Sequence, residues 1–205
     1  MDDKQKLPEP GVRELQDRWM TAEGHRVRRE LISAWGAGNN YWPELLYDLP
    51  SVCHPLSPDD LDDLRGIDLS KQILKGFSLA CCDLSYSDLQ HCNLQKATLQ
   101  RSRLNWANLT RSVLVTTDLL NIEALHANFS DCRIEKTMAM SSNFRHSAFL
   151  RTEFNACVLN GSDFTGSDLK PSVFEGNEFH NVIFPNGFKL SRYLTHHRRD
   201  PGNTP

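Results

Sequence analysis

No stretch of this sequence approaches the roughly 18 consecutive apolar residues of a membrane-spanning helix, and its start, Met1-Asp2-Asp3-Lys4-Gln5-Lys6, has no apolar run behind its charges. A spanning segment and a secretory leader are therefore not expected, and the chain reads as soluble and cytoplasmic. An excess of one charge is missing too. The formal net charge is −3 over 205 residues, too little to draw the whole chain to nucleic acid or to an anionic membrane. Six cysteines occur without a CxxC spacing, so metal and redox roles are not signalled. Nucleophile elbow, Walker loop, glycine-rich dinucleotide turn and HExxH are all absent, and neither an enzyme nor a bound cofactor is expected.

What is present is a period. Leucine stands at 84, 89, 94, 99, 104 and 109, and the register extends over 25 slots from Leu64 to Phe184 without an insertion. The first twelve slots, to Leu119, are leucine, and 23 of the 25 are Leu, Ile or Phe, the exceptions being Ala124 and Ala139. Five steps turn an α-helix by about 500°, equivalent to 140°, and reverse the face of a strand, so neither regular element would give a continuous buried stripe. Two residues before each centre the side chain is small. From Cys82 to Asn177 that slot has 20 members, and only Ile122 and Asn177 are not Ala, Ser, Cys or Thr. The residue before the centre is often Asp or Asn, as at Asp68, Asp83, Asp88, Asn93, Asn108, Asn128, Asp163 and Asp168.

This pattern resembles the pentapeptide-repeat family over about 125 of the 205 residues. The resemblance implies a mainly β fold, a right-handed quadrilateral β-solenoid with one pentapeptide per side and four per coil. Central and small slots then point inward. Coils stacked about 4.8 Å apart make one core, because no coil hides its leucines alone. The slots give about six coils, over residues 60–186. On a 20-residue coil, Cys82, Cys92, Cys132 and Cys157 fill small inward slots. Cys92 and Cys132 then lie about 9.6 Å apart, beyond bridging distance, and reduced thiols are expected.

Residues 1–59 depart from the register and read as a small α-helical N-terminal cap. Val12, Leu15 and Trp19 make one amphipathic stripe and Val27, Leu31 and Trp35 another. Thr21 suits an N-cap between them, and Gly36 or Gly38 a stop. Trp42, Leu45, Leu46 and Leu49 form a shorter apolar segment. A bare first coil would expose Leu64 and unpaired strand edges, so a lid is required, although a partner-binding head is the alternative. Residues 187–205 read as a short C-terminal cap and frayed tail. Related solenoids pair through this end, which makes Phe188, Leu190, Tyr193 and Leu194 the candidate homodimer interface.

Outward slots carry whatever function the chain has. One column reads Tyr86, Trp106, His126, His146, a ladder of rings that stack on one another or receive a partner's side chains. His126 and His146 alone, with no acid in their column, make a poor metal site. Leu120 and Leu125, beside Ala124 and Ala139, are the second candidate surface, against the plainer alternative that neighbours repack into the volume the alanines leave. The best-known relatives mimic DNA, binding gyrase through an acidic surface and protecting it from quinolones or toxins. Here the outward acids and bases number four to three on the Leu64 side, four to four on the Leu69 side, three to four on the Leu74 side and two to one on the Leu79 side. No side is strongly acidic. The expectation is a rigid protein–protein interaction module with an unknown protein partner, gyrase being the alternative and direct nucleic-acid or membrane contact not expected.

Overall fold

The computed structural model describes residues 11–49 and 61–192. In the second segment every strand pair and bridge is parallel and joins a residue to the one twenty positions later. Four ladders run side by side, through Asp68↔Asp88, Ile73↔Asn93, Ser78↔Thr98 and Asp83↔Arg103, so a coil has four sides and the chain forms a β-solenoid. Its longer strands lie on the Leu114 side: β3 (Val113–Val115), β4 (Arg133–Glu135), β5 (Glu153–Asn155) and β6 (Val173–Glu175), after the short pair β1 (Asp62–Asp63) and β2 (Cys82–Asp83). Main-chain groups are paired toward both neighbouring coils. Leu89 N donates to Asn108 O at 2.7 Å, and Asn108 N donates to Ser87 O at 2.9 Å.

Three slots of the pentapeptide have separate physical tasks. Every central side chain from Leu64 to Phe174 is at most 2% exposed. The small slot sits inside the corner, where its hydroxyl or thiol donates to the central carbonyl 23 residues earlier: Ser112 to Leu89 at 2.6 Å, Thr137 to Leu114 at 2.5 Å, Cys132 to Leu109 at 3.0 Å. The Asp or Asn oxygen accepts the main-chain N–H two residues on, as for Asp68 with Ser70, Asn128 with Ser130 and Asp163 with Thr165, which bends the chain at the corner. The last slot then takes a left-handed conformation. Eighteen non-glycine residues, Lys71 to Asn181, have φ between 51° and 63°, a region that non-glycine side chains enter at a cost.

The centres change character along the axis. Up to Leu119 they are leucine; beyond it, Phe129 stacks on Phe149 at 5.0 Å, Phe144 on Phe164 at 4.9 Å and Phe154 on Phe174 at 4.9 Å. Ala124 and Ala139 are fully buried where the two fillings meet, and Ile122, in a small slot beside Ala124, is 2% exposed and occupies that region. The inward rule weakens at the far end. Phe179 and Phe184 are only half-buried, because among the described residues no further coil covers them; Phe184 stacks on Phe188 at 5.2 Å. Leu190 begins a short 3-10 helix, Leu190–Arg192. Tyr193 and Leu194 lie outside the described residues.

At the other end, α1 (Val12–Met20) and α2 (Ala22–Gly36) form a close pair, followed by a 3-10 helix over Trp42–Asp48. Thr21 caps α2, its hydroxyl accepting Gly24 N at 2.9 Å. A Cβ on Gly24 would stand 2.2 Å from Arg18 O, so the crossing tolerates only glycine. Leu15 and Trp19 are buried, but Val12 is 43% exposed, since α1 turns only its later residues to the solenoid. There Arg18 clasps Asp63 at 2.9 and 3.1 Å and donates to Arg65 O, which also accepts the Trp19 indole N–H. Arg65 holds the same carboxylate at 2.9 Å. Burial pushes the Asp63 carboxyl up, but the Arg65 hydrogen bond and the Arg18 charge outweigh it and leave it below the usual range. Removing one partner from such a buried pair costs about 3–5 kcal/mol. The first coil also breaks the small-slot rule with Ile67 and Phe77; Phe77 meets Trp35 under α2 at 6.1 Å.

Among the described residues the cysteines are free, Cys81 exposed and Cys82, Cys92, Cys132 and Cys157 buried. Burial pushes the thiols of Cys92 and Cys157 up to about 11 and that of Cys132 to about 12. They remain neutral packing groups at neutral pH. Cys53 lies outside the described residues.

Candidate functional site

The aromatic column is built by the corner slot. Tyr86, Trp106, His126 and His146 have φ of 63°, 57°, 57° and 58°, and their amides are locked into the ladder, for example Trp106 N to Leu125 O at 2.8 Å. Neighbouring rings stack at 5.2, 5.2 and 5.1 Å with interplanar angles of 10°, 14° and 13°. Glycine bounds the column at both ends. A Cβ on Gly66 would stand 2.7 Å from Leu15 O of α1, and one on Gly166 would stand 2.5 Å from His146 Nδ1.

Stacking uses the ring faces and leaves mainly edges to solvent; Trp106 is 49% exposed and His126 and His146 are exposed too. Ring edges offer N–H and O–H groups and the positive rim of the quadrupole; they are not a flat platform. The imidazoles of His126 and His146 face each other instead of converging on one point, as a tetrahedral ion requires. Among the described residues no group of three or more His, Cys, Asp or Glu is placed to hold a metal ion.

Leu120 and Leu125, the second candidate surface, are half-buried, while Met138 beside Ala139 is the open apolar group at 46% exposure. Leu125 N is held by Asn105 Oδ1 at 2.8 Å, so this surface is ordered but not strongly apolar. Phe188 and Leu190 of the third candidate pack partly against the core end. A cleft of about 200 Å³ beside Ser167, Asp168 and Lys170 lies near that end. Its Ser167 hydroxyl is already donated to Phe144 O at 2.5 Å, and Asp168 accepts Lys170 N at 3.1 Å, so it displays no activated nucleophile.

Part of the charge on the outer columns is paired between coils. Arg103 bridges Asp83 at 3.2 Å and Glu123 at 3.0 Å, and Arg151 holds Asp131 at 2.6 and 2.7 Å. The Arg151 hydrogen bond keeps the Asp131 carboxyl below the usual range. Among the described residues no helix is long and apolar enough to cross a membrane.

A family model described as pentapeptide repeats matches residues 63–101, 78–115 and 140–184 in eight copies. The unmatched stretch between 115 and 140 holds Ala124 and Ala139. No curated protein matches. Solved structures that match include the pentapeptide repeat protein Rfr23 from the cyanobacterium Cyanothece 51142, at 19% identity and a TM-score of 0.36 over 60% of this chain and 87% of that one. QnrB1, a plasmid-mediated fluoroquinolone resistance protein, follows at 16% identity and 0.35 over 65% and 76%. HetL from Nostoc sp. strain PCC 7120, involved in heterocyst differentiation regulation, matches at 14% identity and 0.18 over 60% and 85%.

Proposed function

The chain belongs to the pentapeptide-repeat family, and on that premise we propose that it is a rigid, non-enzymatic interaction module that reads a protein partner with its outer columns. The observation that carries this reading is the filled interior: centres from Leu64 to Phe174 are at most 2% exposed, so the solenoid among the described residues encloses no interior cavity of the kind most enzymes use. The rings of Tyr86, Trp106, His126 and His146, with Leu120 and Leu125, are the proposed contact surface. We further propose about six coils over residues 60–186, with the helical segment acting as a cap and the end that carries Phe188, Leu190, Tyr193 and Leu194 as a homodimer contact, in a cytoplasmic protein.

Affinity capture with wild type, Trp106→Ala and Leu125→Asp tests the reading. A specific protein held by wild type and lost with Trp106→Ala is expected; capture unaffected by either change would contradict the proposed surface. Gyrase protection, a property of some relatives, is disfavoured because the outward acids and bases nearly balance on every side and such charges screen one another within about 8 Å. Dose-dependent inhibition or quinolone protection in a supercoiling assay would reverse that ranking.

A further inference from the structure

Totals taken side by side conceal a segregation of charge along the axis. On the first three coils of the Leu74 side and its two corners, the outward residues are Lys71, Ile73, Lys75, Gly76, His91, Asn93, Gln95, Lys96, Arg111, Val113, Val115 and Thr116. Four are Lys or Arg and none is Asp or Glu. The next three coils of that side hold Asp131, Glu135, Glu153 and Glu175 against Arg133, Lys136 and Arg151, several of them paired, as in Arg133–Glu135 at 2.5 Å and Lys136–Glu135 at 3.6 Å.

Among the described residues Lys71, Lys75 and Lys96 are exposed and make no ion pair. Arg111 adds its field to Asp131, one coil on, whose carboxylate Arg151 already holds. The acids across the two corners are engaged: Asp68 with Ser70 N and Arg28, Asp88 with the main chain and side chain of Gln90, and Asp118 with Leu120 N. One column of the patch reads Ile73, Asn93, Val113 along the axis. Ile73, on the first coil, is 73% exposed, and Val113 and Val115, two coils on, are half-buried.

We propose that this patch docks an acidic, extended segment of a partner protein, with an apolar residue of that segment resting on Ile73. The inference rests on the interaction-module reading and names one of its surfaces. Two coil spacings by one five-residue side measure about 10 by 16 Å, far below the roughly 800 Å² per partner of a stable dimer. That footprint matches about five extended residues. A duplex gains its affinity from many phosphate contacts, which four basic side chains do not supply. Recognition is through side chains alone, because the main-chain groups here are spent between coils, as with Lys71 N on Gln90 O and Lys96 N on Val115 O, both at 2.9 Å.

Fluorescence anisotropy with the full chain tests it. The probes are a labelled octapeptide of glutamate interrupted by two leucines, its lysine counterpart, a short DNA duplex, and phosphatidylserine vesicles. The acidic peptide is expected to bind, to weaken about tenfold or more with Lys71→Glu/Lys75→Glu/Lys96→Glu, and to weaken from about 0.05 to 0.3 M salt. Trp106→Ala should leave it unchanged. A Lys→Gln triple, with melting curves for both triples, separates charge from unfolding. Equal binding of the lysine counterpart, indifference to both triples, or tighter binding of duplex or vesicles through the same lysines overturns the proposal. Its failure with Trp106-dependent capture intact removes only this patch, whereas peptide binding together with affinity capture that is indifferent to Trp106→Ala removes only the aromatic surface.

Discussion

The leucine-filled and phenylalanine-filled halves of the solenoid share one backbone but not one interior. Leu94 and Leu114 stack through aliphatic packing where Phe154 and Phe174, on the same side, lie as parallel rings 4.9 Å apart. Yet the pairing offset is twenty residues in both halves, and the corner hydrogen bonds are the same: Ser112 donates to Leu89 O at 2.6 Å and Ser147 donates to Ala124 O at 2.5 Å. The coil is therefore set by the small, Asx and left-handed slots, while the centre need only be apolar and of suitable volume. The transition between fillings is where volume must be reconciled, and there the centres shrink to Ala124 and Ala139.

The largest effect that would sharpen the comparison comes from emptying each interior. Phe149, which meets Phe129, Phe144, Phe154 and Phe164, should lose about 3–5 kcal/mol as alanine, and Leu94→Ala about 2–5 kcal/mol, read from denaturant midpoints. Next is the junction. If Ile122 already occupies the space beside Ala124, Ala124→Leu should destabilise by about 1–3 kcal/mol; a stabilising result would expose an unfilled cavity and break the account of the transition. Smaller still, Ser112→Ala and Ser147→Ala should each cost about 1 kcal/mol. Unequal costs would mean that the two backbones differ.

The smallest effect is in pH. Thiols whose folded pKa is raised favour the protonated form, so their contribution is complete below the unfolded value near 8.5 and fades as pH climbs toward about 11 to 12. Melting temperature should fall across that window with contributions from both halves, from Cys92 and from Cys132 and Cys157. Serine at these three positions should flatten the fall, since serine already fills the same slot elsewhere.

Much of this was legible in the residue pattern, because burial of Leu64 to Phe174 and the small size of Cys82, Ser112 or Thr137 are direct steric demands of a stacked coil. The Asx hydrogen bonds were legible for the same reason. The left-handed corner was not: only Gly66, Gly76, Gly161, Gly166 and Gly176 announce it, while Lys, Arg and His at equivalent positions carry no such mark. Stacking of Tyr86, Trp106, His126 and His146 followed from the twenty-residue coil, but the glycines that end the stack gained meaning only when Leu15 and the His146 ring were seen against them. The Arg18–Asp63 clasp joins residues 45 apart in sequence, and no local period predicts it. Val12 was misjudged because helical spacing identifies a stripe without saying how far the helix stays in contact. Adding charges by side averaged away the separation of Lys71, Lys75 and Lys96 from Glu153 and Glu175.

The most direct test of the twenty-residue coil is through-hydrogen-bond NMR coupling on the labelled full chain. The account predicts couplings from Leu89 N to the Asn108 carbonyl, from Leu109 N to that of Asn128 and from Phe149 N to that of Asp168. Couplings to carbonyls four residues earlier, or to an antiparallel partner, would contradict it.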